Sequence, residues 1–195
     1  MAPLPRIFVD TNVLFPFSVM DLILALTEDG IHSTLWTDAL LDEWERVIVR
    51  SGRRSVSSAA AVTAAVRKFF PDAEVPLADY AGLIAGMPGD DPDDRVHMAA
   101  AVAGRATHIV THNLSDFPAA HLAEHGVIVT DPDTYLCELF GEFGDEVTST
   151  VVRLAGEKRN PVVDLREAEE TRAGDEVYSM EEVRPACRST ASSPS

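Results

Sequence analysis

Acidic side chains follow two strand-like segments of the sequence, and the chemistry they could share is the binding of a metal ion. Asp10 ends an apolar run at residues 6–9, and Asp116 comes shortly after another run at residues 107–111. Ligands of a parallel α/β sheet bind beyond the carboxyl ends of its strands. Both carboxylates are therefore expected at the same edge of the sheet, where oxygen ligands suit Mg²⁺ or Mn²⁺ better than zinc.

A third acidic side chain lies on the inner face of a helix predicted to be capped by Asp38 and to end near residue 49. Glu43 is three residues after Leu40 and four before Val47, so all three share the apolar face of that helix. A buried charge without a partner is costly. The sequence alone leaves two partners for Glu43 open, a metal ion or an arginine.

An acidic loop precedes a second helix, predicted at residues 93–104. The run at residues 90–94 holds four aspartates, whereas capping a helix requires only one carboxylate. Asp91 or Asp93 is the expected cap, and Asp94, in the first turn, can face the strand ends. The pattern leaves open whether Asp94 is a metal ligand or a further member of the capping cluster.

The remaining reactive side chains form no second catalytic pattern. His97, His108 and His112 are scattered along the sequence and are interpreted as structural or surface residues. The serines have no histidine–acid arrangement beside them, and no GxxxxGK[ST] or GxGxxG segment is present. The sequence therefore favours carboxylate and metal chemistry over nucleophilic catalysis or a phosphate-cradling loop.

Strand-like runs alternate with helical segments of about ten to sixteen residues, which predicts an α/β fold with a mainly parallel sheet and helices on both faces. Of the 195 residues, 46% are hydrophobic and 25% charged, as in soluble globular proteins. No apolar run approaches the roughly 20 residues that span a bilayer, and no signal-like segment opens the sequence. A cytoplasmic location without membrane contact is expected.

The formal net charge of −16 is opposite in sign to the basic footprint of most nucleic-acid-binding proteins. Any RNA would have to be held locally, by the metal and by a few arginines. Arg53 and Arg54 follow the Glu43 helix, where a basic loop could overhang the acidic pocket and contact RNA. The alternative is that both are solvated residues that interact with the dipole of the helix C-terminus.

Four segments, at residues 8–14, 43–47, 93–101 and 109–117, resemble PIN domains in their order and spacing. The likeness is nearest to VapC-like toxins of type II toxin–antitoxin systems and their longer relatives. It implies a three-layer fold with a central parallel sheet of four or five strands, and a catalytic Mg²⁺ or Mn²⁺ bound by acidic residues. The catalytic, metal-binding residues would be Asp10, Glu43, Asp94 and Asp116, supported by the polar residues Asn12, Thr111 and Asn113.

The resemblance and the composition together predict the domain organisation. Residues 1–140 are expected to form the PIN-like nuclease domain and residues 141–158 a helical extension. Residues 159–195 are acidic and rich in serine, which is typical of a disordered tail. The chain is longer than a compact VapC toxin, chiefly through this tail and an extended middle section at residues 51–92.

The resulting hypothesis is a metal-dependent endoribonuclease that hydrolyses RNA phosphodiester bonds, as the toxin of a toxin–antitoxin pair, with a cognate antitoxin and a homodimeric state. One alternative is a catalytically weak PIN-fold protein that binds a protein partner. A second is a haloacid-dehalogenase-like phosphatase, which also places an aspartate after the first strand and a threonine, here Thr111, after a later one. That chemistry needs a second aspartate where Asn12 stands.

Overall fold

Four short strands form the centre of the protein in the computed structural model, which describes residues 4–14, 17–52 and 54–159. Apolar and β-branched residues dominate these strands, as expected of strands buried between helices. The strands all run parallel, in the order β2-β1-β3-β4, so the predicted α/β fold with a four-stranded parallel sheet is confirmed. They are β1 (Arg6–Val9), β2 (Ser33–Leu35), β3 (His108–Val110) and β4 (Ile128–Thr130).

Helices connect these strands because two parallel neighbours cannot be joined by a tight turn. Short 3₁₀ turns at Pro71–Ala73, Ile84–Gly86 and Leu114–Asp116 lie between some of the helices and strands. The helices of the described residues are α1 (Thr11–Leu14), α2 (Phe17–Glu28), α3 (Asp38–Arg50), α4 (Val56–Phe69), α5 (Leu77–Tyr80), α6 (Pro92–Ala103), α7 (Ala119–Glu124), α8 (Pro132–Glu142) and α9 (Gly144–Arg159).

The direction of winding reverses between β1 and β3. From β1 the chain passes to β2 on one side, and later returns to β3 on the other side of β1. Phe8 consequently lies between Leu35 of β2 and Ile109 of β3. A reversal of this kind opens a crevice at the carboxyl ends of the two central strands, which is where ligands of such sheets bind. Asp10 and Thr111 are the first residues beyond those two ends.

Small residues allow α6 to approach the sheet closely. Ala99, Ala100 and Ala101 are fully buried. At Gly104, which ends the helix, a Cβ atom would lie 2.7 Å from Cγ2 of Val75 and 2.9 Å from Cδ1 of Leu35. A larger residue at this position would push α6 away from the sheet. The tight packing fixes the start of α6, and with it Asp94, relative to the strand ends.

The start of α3 differs from the prediction. Asp38 was predicted to cap this helix, but the cap is Thr37, whose backbone is extended and whose hydroxyl accepts a hydrogen bond from Leu40 N at 3.0 Å. Asp38 lies in the first helical turn, where a carboxylate interacts favourably with the helix dipole. The predicted apolar face is buried, and it leaves the Glu43 side chain half-buried at the edge of the core.

Helices α8 and α9 are the last two helices of the described residues, and α9 covers most of the segment 141–158 that was expected to be helical. Asp131 caps α8 and accepts a hydrogen bond from Thr134 N at 3.0 Å. Helix α9 is attached to the end of α2 through Asp29, which binds Arg153 at 3.0 Å and Thr150 at 2.5 Å. The predicted disordered tail lies outside the described residues. Within the described residues, no helix is long and apolar enough to cross a membrane.

Candidate active site

Asp10 is the buried acid at the centre of the crevice, with 8% of its surface exposed. Its Oδ2 atom accepts two hydrogen bonds of 2.7 Å, one from Thr111 Oγ1 and one from Asn12 Nδ2. Its Oδ1 atom has only a long contact of 3.4 Å with Thr11 Oγ1. One carboxylate oxygen is therefore fixed by the protein, and the other keeps lone pairs available for a cation.

Asn12 and Thr111 also connect the two loops that follow β1 and β3. The Asn12 amide donates to Thr111 Oγ1 at 3.2 Å, and its oxygen accepts from His112 N at 3.1 Å. Thr111 Oγ1 accepts in turn from Asn113 N at 2.9 Å. The structure thus brings Asn12 and Thr111 to the acid they were predicted to support, whereas Asn113 takes part through its backbone and is itself exposed.

Glu43 receives a hydrogen bond at each carboxylate oxygen. Thr11 Oγ1 donates to Oε1 at 2.9 Å, and His97 Nε2 lies 3.3 Å from Oε2. The hydrogen bond from His97 is the largest cause of a lowered pKa at Glu43, and burial opposes it. Neither of the two partners left open by the sequence, metal or arginine, is the group that contacts Glu43 among the described residues.

His97 is the residue of the candidate site that the sequence did not single out. The side chain is 3% exposed, and its ring packs 5.5 Å from the ring of Phe8. Among the described residues its Nδ1 atom has no hydrogen-bond partner, so the contact of Nε2 with Glu43 is the polar contact that positions the ring. The available signal was its spacing: His97 is three residues after Asp94, hence on the same helix face.

Asp94 carries the clearest electrostatic sign of a carboxylate cluster. Burial, together with the negative charges of Asp91, Asp10 and Asp116, raises its pKa to about 6. Asp91 is the cap of α6, as predicted, and accepts from Asp93 N at 2.8 Å. Among the described residues Asp94 has no hydrogen bond and no salt bridge. His97 nearby acts on the pKa of Asp94 in the opposite direction, but its effect is smaller than that of burial and the three aspartates.

The acidic residues have the chemistry that a divalent cation needs, but as they stand they are not close enough together to hold one. Within the described part of the chain, no three His, Cys, Asp or Glu side chains form a group that could hold a metal ion as they stand. The donors are nevertheless all carboxylate oxygens, which suit Mg²⁺ or Mn²⁺. Unpaired Asp94 and exposed Asp116 can move toward an ion beside Asp10 without breaking a salt bridge.

Of the two arginines expected near RNA, Arg54 is placed differently from the hypothesis. The guanidinium carbon of Arg54 lies 4.3 Å from the centre of the Phe17 ring, and the side chain is half-buried. Its Nη1 atom also donates to Ser58 Oγ at 3.3 Å. Arg54 thus packs the turn before α4 against α2 rather than extending into solvent. Arg53 lies outside the described residues.

Asp94→Asn is expected to stabilise the metal-free protein at neutral pH. The folded state holds the Asp94 proton more tightly than the unfolded state, so the free energy of unfolding falls as the pH rises through about 6. The neutral amide removes that loss. In EDTA at pH 7.5 the variant should therefore melt at or above the wild-type temperature.

With Mg²⁺ present, the wild type should instead melt at a higher temperature than Asp94→Asn. An ion at about 100 times its Kd adds roughly 2.7 kcal/mol to a protein that binds it, equivalent to about 5–10 °C for a chain of this size. The rise should be much smaller in the variant. Thermal melts with EDTA and with Mg²⁺ measure both effects, and a variant that melts several degrees below wild type in EDTA would identify Asp94 as a structural residue instead.

Comparison with known proteins gives one family match and no relative. The family model described as a PIN domain matches residues 6–115, which is more than half of the chain. The matched region includes Asp10, Glu43 and Asp94, and it ends one residue before Asp116. No curated protein matches the chain.

Proposed function

Because the chain belongs to the PIN-domain family, whose members are generally nucleases, we propose that it is an Mg²⁺- or Mn²⁺-dependent endoribonuclease. The observation that carries the proposal is the unpaired Asp94 carboxylate, whose pKa is raised to about 6 beside Asp91, Asp10 and Asp116 at the crevice between β1 and β3. Negative charge concentrated at a ligand-binding crevice, with no salt bridge to Asp10 or Asp94 among the described side chains, fits a site for a divalent ion.

Each acidic side chain has a distinct role in such a site. Asp10 is the fixed ligand, because Thr111 and Asn12 hold one of its oxygens and leave the other available. Asp94 and Asp116 complete the ligand set. Glu43 keeps its charge near neutral pH because the hydrogen bond from His97 lowers its pKa. A divalent ion held there supplies Lewis acidity and positive charge beside the scissile phosphate of RNA.

The test is cleavage of a single-stranded RNA, labelled at its 5′ end, with Mg²⁺, with Mn²⁺ and with excess EDTA. We expect cleavage with either ion and none in EDTA. A 2′-O-methyl RNA of the same sequence serves as a control, because attack by water needs no 2′-hydroxyl whereas contaminating metal-independent ribonucleases do. Cleavage that persists in EDTA, or no cleavage with either ion, contradicts the proposal.

The partner-binding alternative makes a different prediction for the same residues. If the acids only bind a protein partner, calorimetric titration with Mn²⁺ should give no saturable heat above that of an Asp10→Asn variant. The phosphatase alternative has less support, because Asn12 holds Asp10 by a hydrogen bond of 2.7 Å where that chemistry needs an acid. A phosphate-monoester assay with Mg²⁺ tests it directly.

The relationship to VapC-like toxins is a finer part of the proposal. Its support is the order and spacing of the four motif segments, and it carries with it a cognate antitoxin and a homodimer. Induced expression should arrest growth of a bacterial host, and Asp10→Asn should relieve the arrest. Normal growth with active enzyme present in the cells would remove the toxin role and leave the nuclease assignment intact. Sedimentation of the purified protein tests the dimer separately.

A further inference from the structure

A cleft of about 710 Å³ lies beside the acidic cluster, between α3, the start of α4 and α6. Glu43 and His97 line the cleft, so it is continuous with the candidate active site. From that end it extends along α3 toward Arg50 and Val56. A substrate strand that reaches the acids from this direction would have to pass through it.

Two arginines follow Glu43 along the same face of α3. Arg46 and Arg50 are three and seven residues after Glu43, and both line the cleft. Both are exposed, and among the described residues neither has a carboxylate within salt-bridge distance. Arg46 donates only to the Asp42 carbonyl, at 3.2 Å. Since a helix rises about 1.5 Å per residue, the two guanidinium groups are carried by positions roughly 6 Å apart along the axis.

Two other arginines of this acidic chain, Arg67 and Arg153, are neutralised by carboxylates, unlike the pair in the cleft. Arg67 forms salt bridges with Asp38 at 2.9 Å and with Asp42 at 3.1 Å. Arg153 binds Asp29 at 3.0 Å. Guanidinium groups that have no salt bridge and lie beside the candidate metal site are suited to bind the phosphates of a polyanion.

The acids in the walls of the cleft are mostly occupied by neighbouring groups. Asp42 is bound by Arg67 at 3.1 Å, and Glu45 accepts a hydrogen bond from Thr63 at 3.1 Å. Glu43 is bonded by His97 and belongs to the active site. Asp93 lies at the start of α6 and is exposed. The acids of the walls are thus held by other groups or lie at the rim, and Arg46 and Arg50 are the arginines of the cleft lining.

The cleft also offers an apolar surface. Val49, Val56 and Val96 line it, and Val56 is 64% exposed although it begins a helix in a well-packed protein. An apolar surface beside a row of cations matches the two chemical faces of single-stranded nucleic acid, whose bases are unstacked and whose phosphates are charged.

We propose that this cleft binds the single-stranded RNA that flanks the scissile bond, with phosphates on Arg46 and Arg50 and a base on the valines. The proposal rests on the ribonuclease function proposed above and adds the direction from which the strand enters. Arg46 and Arg50 are then the cationic contacts to RNA, in place of Arg54, which packs on Phe17.

The test compares the double variant Arg46→Ala/Arg50→Ala with wild type in the cleavage of a fluorescein-labelled 12-nucleotide single-stranded RNA. KM should rise about tenfold, with a smaller effect on kcat, because the arginines contact the strand away from the scissile bond. Single-stranded RNA loses about 0.7 in salt slope for each phosphate contact. The plot of log kcat/KM against log salt should therefore flatten by about 1.4. Arg6→Ala removes an exposed arginine at the opposite, amino end of β1 and should match wild type.

A second variant tests the apolar part of the cleft without removing an arginine. Val56→Glu places a carboxylate in the cleft and also in the first turn of α4, where an acid favours the helix, so the fold should be kept. KM should rise at least fivefold, whereas Val152→Glu, at an equally exposed valine of α9, should leave it unchanged.

The outcomes separate the two proposals. A wild-type protein that cleaves no RNA with either ion would overturn the ribonuclease function, and the strand path with it. A wild-type protein that cleaves, together with cleft variants that keep its KM and its salt slope, would overturn the strand path alone.

Discussion

Asp10→Asn is expected to reduce Mg²⁺-dependent RNA cleavage by at least about 1,000-fold while the protein remains folded. The asparagine oxygen can still accept the hydrogen bonds that Thr111 and Asn12 donate at 2.7 Å, so the loops after β1 and β3 should stay in place. What disappears is the negative charge of the buried acid at the centre of the crevice. Because a divalent ion depends on that charge, both metal affinity and cleavage should be lost.

The measurement is the rate of cleavage under single-turnover conditions, with the thermal melt of each variant in EDTA as the check on folding. Asp145→Asn removes an exposed carboxylate from the first turn of α9 and controls for the change in net charge. Asp10→Asn that keeps more than about a tenth of the wild-type rate would show that Asp10 is not a ligand. A variant that melts far below wild type would make Asp10 a structural residue of the crevice.

The central strands and their acids could be predicted because the signals are local. An apolar run that stops at a polar residue identifies both the strand and the group at its carboxyl end, as at Asp10 and Thr111. The crevice between them required one further rule, that parallel strands end at the same edge. The order of the strands is not a local property, because β1 pairs with a segment about a hundred residues away.

The partner of Glu43 could not be predicted because it depends on how two helices are placed. The periodicity of α3 indicated that Glu43 faces inward and therefore needs a partner. That the partner is His97, 54 residues later, depends on the depth to which α6 packs on the sheet, and Gly104 and the alanines of α6 set that depth. The sequence showed that Asp94 and His97 share one face of a helix. It did not show that this face lies against α3.

The position of Arg54 could not be predicted for a related reason. The segment around Arg54 has the composition of a basic loop, which predicted an exposed side chain that could contact RNA. In the structure its guanidinium lies over Phe17, which belongs to a helix 37 residues earlier. The arginines that line a cleft beside the acids are instead Arg46 and Arg50, which the sequence did not single out.

A buried histidine away from the active site is expected to make folding sensitive to acid. His32 is 2% exposed. Its Nε2 atom donates to the carbonyl of Ile23 at 2.9 Å, and its Nδ1 atom lies 2.9 Å from the Tyr135 hydroxyl. The carbonyl can only accept, so the neutral ring carries its proton on Nε2 and accepts at Nδ1. Burial lowers the pKa of His32 to about 4, since no carboxylate beside it offsets the charge that protonation would bring.

The sign of the pH dependence follows from this lowered pKa. Between pH 6.5 and about 4 the unfolded chain binds a proton at His32 that the folded protein does not. The free energy of unfolding should therefore fall as the pH falls through this window. Above pH 6.5 the contribution of His32 to stability is fully present. One unit of pKa corresponds to about 1.36 kcal/mol, so the lowering from 6.5 to about 4 corresponds to about 3 kcal/mol. His108, whose pKa burial also lowers, acts in the same direction.

Urea unfolding between pH 4.5 and 8 in EDTA measures this contribution as the difference between wild type and His32→Gln. Glutamine can donate to Ile23 and accept from Tyr135 but does not titrate, so the variant should be less stable at pH 8 and lose less stability on acidification, by about 2–3 kcal/mol over that range. His125→Gln, at an exposed histidine after α7, should keep the wild-type dependence. Parallel stability curves for wild type and His32→Gln would show that protonation of His32 does not drive acid unfolding, and that the carboxylates do so instead.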